Sequence, residues 1–362
     1  MTSAIATAGA FQDWMRRKTW VDHALLAIRL CVAGFLISGC VLGLSANRYS
    51  AENWMSFAVF GLIIGSIYAL IALGYTMVYG ILRMINFAHA DVMMVGSYAG
   101  MFVATTLQAK GMLQEGPLLF LPLIMAAGMA AGALVSLGIE RVAYRPFLHV
   151  RSLAPLISAI GLTFVIEYSA RGLFGTRNRA YPGFGWMEGS VQIGALAIPI
   201  QQIIAFAAAV IMLAALMLVV YRTRLGKAMR AVSEDRDAAA LSGVNVARVI
   251  VLTFALGGAM AGASGVLYGL VFKQIQVFMG FSLGIKGFAA AILGGIGNLP
   301  GALLGGIVLG LSETLGPALL FEGFGVPAPY QLRDVIGYGM LVMILIFRPQ
   351  GLLGERLASK RA

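Results

Sequence analysis

Long apolar runs separated by short polar connectors occupy most of the chain. A bilayer core takes about 20 helical residues. On that measure Ala24–Ala46, Phe57–Leu82, a run ending near Gln108, Leu118–Ile139, Leu153–Leu173, a run ending near Val220, Val249–Phe272, Ala302–Leu320 and Leu332–Phe347 read as membrane spans. The stretch Gly284–Gly301, GIKGFAAAILGGIGNLPG, is too short before its Gly and Pro breakers to cross as one helix, and reads as short, broken or re-entrant. The pattern predicts an all-α, polytopic bundle of about ten membrane segments, one of them short or broken.

The first apolar run follows Arg16, Arg17 and Lys18. It exceeds the ~7–15 residues of a signal-peptide core, so it reads as a retained span. Alternating the crossings from a cytoplasmic N-terminus puts both ends inside, and the charges test this. Seventeen Lys and Arg fall in the proposed cytoplasmic parts and seven in the outer loops; Arg29 and Lys286 lie within segments. Cytoplasmic loops carry such an excess.

The longest polar interruption of the second half, Tyr221–Arg248, carries Arg222, Arg224, Lys227, Arg230, Arg236 and Arg248. Ser233 has the hydroxyl of an N-cap, Glu234, Asp235 and Asp237 suit a helix N-terminus, and Gly243 suits its end. These signals predict a short helix, Glu234–Leu241, with a small apolar AAAL face. So short a helix is marginal alone in water. It is either a solvated connector or a docking helix for a cytoplasmic subunit.

Composition narrows the class. Of 362 residues 60% are hydrophobic and 11% charged, against ~25% charged in soluble domains. The net charge of +11 lies mostly in loops, where topology and anionic membrane lipid account for it and nucleic-acid binding does not. Cys31 and Cys40 are nine residues apart in one span, and His23, His89 and His149 match no metal-ligand spacing, so neither a disulfide between them nor a metal or other cofactor is expected. No GxxxxGK[ST], nucleophile elbow or HExxH occurs, which argues against enzymatic catalysis by this chain.

Small residues four apart recur at Gly39/Gly43, Gly61/Gly65, Gly96/Gly100, Gly128/Gly132, Gly258/Gly262, Gly265/Gly269, Gly301/Gly305 and Gly306/Gly310. The spacing lets helices approach closely in lipid and predicts a tight bundle. Glu167, Lys286 and Glu313 fall at membrane depth, and Asn86, His89 and Asp91 cluster at a turn, with Glu140 near an interface. Each deep charge is either an interior ion pair or part of a pathway. So few acids do not make a proton relay. The loop Phe174–Pro199, with Tyr181, Phe184 and Trp186, is a candidate outer docking surface.

Five segments carry a family resemblance: GLIIGSIYALIALGYTMVYGILRMINFAHADVMMVGSYAG (61–100), ERVAYRP (140–146), LISAIG (156–161), RLGKAMRAVSEDRDAAALSGVNVARVIVLTFALGGAMAG (224–262) and GIKGFAAAILGGIGNLPGALLGGIVLG (284–310). In that order they resemble the inner-membrane permease subunits of bacterial branched-chain amino-acid ABC importers. The resemblance spans residues 57 to 354, leaving 1–56 as an N-terminal extension and 355–362 as a basic tail. It implies a bacterial inner-membrane permease working with a second related permease, two cytoplasmic ATPase subunits and a periplasmic binding protein. Glu234, Asp235, Ala239 and Gly243, within the loop 222–248, match the family's ATPase-coupling loop. Asn86, His89, Asp91, Glu167 and Glu313 are gate or pathway candidates. Urea or short-amide import, an ATPase-independent carrier or channel, and a structural membrane subunit are the alternatives.

Overall fold

The computed structural model describes residues 20–112, 117–147, 153–194 and 196–354. The basic residues Arg16, Arg17 and Lys18, together with His149, Arg151 and the tail 355–362, lie outside the described residues. The helices are α1 (Trp20–Ser45), α2 (Ala51–Leu82), α3 (His89–Ala109), α4 (Pro117–Ile139), α5 (Ala154–Phe174), α6 (Ile200–Arg222), α7 (Arg224–Glu234), α8 (Arg236–Leu241), α9 (Val246–Phe272), α10 (Met279–Gly294), α11 (Leu299–Gly316) and α12 (Arg333–Phe347). Among the described residues nine helical stretches are long and apolar enough to cross a membrane, and α10 is a shorter apolar helix. The polytopic all-α bundle expected from the hydropathy pattern is therefore present.

The chain folds as two compact units, one of residues 51–315 with 333 onward, the other of the residues up to 50 with 316–332. In the second, Gly43 of α1 lies against the backbone of Leu319, and Gly39 against that of Leu320. Phe35 stacks on Phe324 at 5.2 Å, and Arg48 pairs with Glu322 at 3.6 Å.

Of the candidate spans in the larger unit α2 and α9 are the most buried, and α9 packs against α2, α3 and α4. Glycine makes this possible. A Cβ on Gly96 of α3 would sit 3.0 Å from Gly128 O of α4 and from Gly262 O of α9; one on Gly132 would meet Gly262 Cα at 3.0 Å. Along α2 and α11 the close approaches form a ladder: Gly61 on Leu311, Gly65 on Ile307, and Gly306 and Gly310 on Ala69 and Gly65. Members of every small-residue pair singled out from the sequence back onto a neighbouring backbone or side chain. In lipid no hydrophobic force draws helices together, so stabilisation comes from dispersion at this short range.

The broken segment has a physical cause. Lys273 takes a left-handed conformation at φ +56 and Gln274–Ile275 pair antiparallel with Arg179–Ala180, so helix does not resume until Met279. At the other end Gly295, at φ +107, stops α10. The last carbonyls of a helix lack intrahelical donors. Here Leu352 N donates to Leu293 O at 2.8 Å and Leu353 N to Gly294 O at 2.9 Å, so the chain after α12 caps α10.

In the connection 175–199 two of the rings named for the candidate docking surface turn inward. Tyr181 packs its ring on Gly269, and Phe184 is also buried. Gly269 and Gly100 leave the space that draws Tyr181 inward. The exposed apolar side chains are instead Val191 and Ile193, on a hairpin formed by Ser190–Ile193 and Leu196–Pro199.

Gly262→Val should destabilise the purified protein by about 3 kcal/mol, because its new atoms meet backbone rather than flexible side chains. Gly138→Val, whose Cβ meets nothing within 4 Å, should be near neutral. Thermal melts of both variants in the same detergent check the contrast.

Candidate functional site

The polar connector after α6 folds as two helices. Thr223 caps α7 by accepting from Gly226 N at 3.2 Å, and Met229 and Val232 bury one face of it. Arg230 of α7 donates to Val220 O, satisfying a carbonyl at the end of α6. The burial of that face carries α7 through Glu234, which corrects the expected start of the short helix. Ser233 lies inside α7 and its hydroxyl donates to Arg230 O at 2.8 Å. The cap of α8 is Asp235, whose Oδ1 accepts from Asp237 N at 2.8 Å and Ala238 N at 3.0 Å. α8 is thus Arg236–Leu241 rather than Glu234–Leu241. Gly243 ends it at φ +84, with Val244 N donating to Ala239 O.

Within α8, Ala239 is buried against the bundle while Leu241 is 91% exposed. Arg236 fixes the helix in place: its Nε and Nη2 both donate to Ile81 O near the end of α2, at 3.1 and 2.6 Å. Burial, and then the facing charge of Arg83, lower the Arg236 pKa from the ordinary guanidinium value, with Asp237 opposing. Arg83, left-handed at φ +56, donates in return to Ser233 O at 3.3 Å. Arg236 thus ties α8, and Arg83 ties α7, to the end of α2. In the sequence Arg236 stands only among loop charges, since nothing local identifies its acceptor 155 residues away.

Asn86, His89 and Asp91 come together at the turn from α2 into α3, all buried. Asn86 O accepts from His89 N at 3.2 Å, and the His89 ring meets Tyr75 edge-on at 4.7 Å. Among the described residues, the side-chain nitrogen and oxygen of Asn86 have no hydrogen-bond partner, while the backbone of Ile71 lies within reach of His89 and the Thr163 hydroxyl within reach of Asp91. Glu167 belongs to the same neighbourhood, since its carboxylate faces Asp91 from α5. It is held by Arg171 at 2.7 Å, one helical turn on. That i,i+4 spacing was legible in the sequence.

Glu313 belongs to a different cluster. Lys286 Nζ lies 2.9 Å from Glu313 Oε2, 2.8 Å from Asp334 Oδ1 and 3.3 Å from the Tyr68 hydroxyl, which itself donates to Glu313 Oε2 at 2.8 Å. The ammonium group has three donors, and all three are engaged. Lys286 and Glu313 are buried, whereas the Asp334 side chain is 44% exposed. This is an interior ion pair that ties α2, α10, α11 and α12. Among the described residues no three His, Cys, Asp or Glu side chains are placed to hold a metal ion.

Lys286→Met should cost about 3–5 kcal/mol, because it leaves the buried Glu313 carboxylate without its cation. Adding Glu313→Gln should recover most of that loss. Melting temperatures of the two variants, compared with the unmodified chain, measure both steps.

Comparison with known proteins agrees with this architecture. The family described as "Branched-chain amino acid transport system / permease component" matches residues 57–345. The high-affinity branched-chain amino acid transport system permease protein BraD of Pseudomonas aeruginosa is 40% identical over 315 residues, which cover 85% of this chain and 98% of that protein. The corresponding LivH of Escherichia coli is 39% identical over 307 residues, covering 83% of this chain and 95% of LivH. The chain therefore belongs to the permease-component family of branched-chain amino acid transport systems, as a multi-pass membrane subunit of the ABC transporter class.

Proposed function

We propose that this chain is the permease of an inner-membrane ABC importer for branched-chain amino acids. It forms half of the path, with a second related permease as the other half. Two cytoplasmic ATPase subunits drive it and a periplasmic binding protein delivers cargo. The observation that carries this reading is the identity to BraD over 98% of that protein's length. Residues 57–354 are the permease domain, preceded by the extension 1–56 and followed by the basic tail 355–362.

The coupling role falls to α8 and its flanks. Glu234, Asp235, Ala239 and Gly243 build the end of α7, the cap, the inward face and the terminus of the docking helix, and the exposed Leu241 is the side chain offered to the ATPase. ATP-driven movement of α8 reaches α2 through Arg236, and the bundle shifts its opening between the two faces. Hydrogen bonds that bring α8, the end of α2 and the Glu140–Tyr144 turn to one end of the larger unit support a common cytoplasmic side for these connectors. Residues 350–354 pack at Gly295, and Gly297 lies by Gly80 near that end of α2, which supports a cytoplasmic C-terminus. Alternation of the spans puts the N-terminus there as well.

Deleting the gene should abolish uptake of radiolabelled leucine, and in the parent strain valine and isoleucine should block that uptake while urea should not. Blockage by urea instead would move the cargo to urea or amides. Uptake into liposomes by the purified chain alone would sink the ATPase-driven reading in favour of a carrier. Within the working importer, Leu241→Asp should lower leucine uptake about tenfold, the equivalent of 1.4 kcal/mol in coupling, with the subunits still co-purifying. Uptake equal to that of the parent would remove Leu241 from the contact.

A further inference from the structure

The N-termini of two helices meet inside the bundle at Asp91. α3 starts at His89 and α10 at Met279, and neither receives a side-chain cap. The first N–H groups of a helix have no intrahelical acceptor, and the dipole leaves partial positive charge there. Asp91 is fully buried, and its Oδ1 lies 2.7 Å from where a Cβ on Gly280 would stand, so the carboxylate is aimed at the first turn of α10.

Its polar neighbours satisfy it only in part. The Thr163 hydroxyl of α5 is within hydrogen-bonding reach of the carboxylate, and the charge of Glu167 on the same helix opposes it. The Thr163 hydroxyl donates to Ala159 O at 3.2 Å, and Glu167 is engaged with Arg171. Arg171 in turn lies 3.8 Å over the ring of Phe278, the residue immediately before α10, and its Nε is buried without an acceptor. One neighbourhood thus holds a buried carboxylate whose only donor is the Thr163 hydroxyl, a guanidinium N–H lacking an acceptor, and a helix N-terminus without a side-chain cap. Polar groups left short of partners at membrane depth are costly, which makes a ligand the economical explanation.

We propose that Asp91, the Glu167–Arg171 pair and the first turn of α10 form a cradle for the zwitterionic head group of an α-amino acid. The ammonium group goes to Asp91, and the carboxylate to Arg171 Nε and the N–H groups that open α10. Glycine at position 280 lets the Asp91 carboxylate come against the first turn of α10, where any side chain would displace it. The inference rests on the reading that the cargo is an amino acid, and places its recognition within the permease itself. The groups are packed closed in this structure. Access requires movement of α5, which exposes Ile157, Phe164, Val165 and Tyr168 along its far flank.

The test is a thermal melt of the full-length permease purified with its partner subunits in lipid nanodiscs. Leucine at on the order of 10 mM should raise the melting temperature by about 2 °C, as expected for a ligand that binds only the folded state. Leucinol, which lacks the carboxylate, and the keto acid of leucine, which lacks the ammonium group, should not. Asp91→Asn should melt no lower than the unmodified chain without ligand, because the amide fills the same space and its oxygen still accepts from Thr163, and should lose the leucine shift. A shift absent from the unmodified chain, a shift matched by either analogue, or one retained in Asp91→Asn would overturn the cradle. So would a lower melting point for Asp91→Asn, which would mark the carboxylate as structural. Cellular uptake separates the two readings: leucine transport without a leucine shift sinks the cradle alone, and a shift without transport sinks the importer reading alone.

Discussion

Close approach of backbones is the constraint on which the rest of this bundle depends. Lipid chains are as apolar as leucine, so helices gain little by hiding side chains from their solvent. What remains is contact at short range, and Gly96, Gly128, Gly132, Gly258 and Gly262 let three helices touch along their main chains. The same device joins α11 to α2 and, separately, α1 to the turn after α11. Each glycine gives up conformational freedom on folding. That cost is tolerable where secondary structure is already enforced by the absence of water.

A second demand follows from the first. Backbone groups at helix ends must find partners wherever water is scarce. Three such ends are satisfied from other elements: Leu352 and Leu353 complete α10, Arg230 of the following helix completes α6 and Arg236 completes α2. Two of these three partners lie in the connector assigned to coupling. The connector is thus bound to the bundle by bonds whose loss exposes a carbonyl.

Much of this was legible in the sequence, for physical reasons. Hydrophobic run length fixed the spans to within a few residues, and small-residue spacing identified the packing faces. The short segment announced itself by its glycines. Three features were not legible. The choice between Ser233 and Asp235 as cap depended on whether Met229 and Val232 found something to pack on, which is a tertiary fact. The inward turn of Tyr181 depended on Gly100 and Gly269, both far along the chain. Lys286 and Glu313 stood out as deep charges, but that they pair with each other, and with Tyr68 and Asp334, required the fold.

The brace at Ile81 has a mechanical consequence. α2 contains 32 residues, a rod of roughly 48 Å at 1.5 Å per residue, which exceeds the ~30 Å hydrocarbon thickness. Arg236 grips this rod near one tip, while the Gly61 and Gly65 contacts with α11 hold it toward the other. Further contacts hold it between these points, at Ala69 by Gly306 and at Gly74 by Gly257, so the connector is joined to a long rigid element and not to a flexible linker.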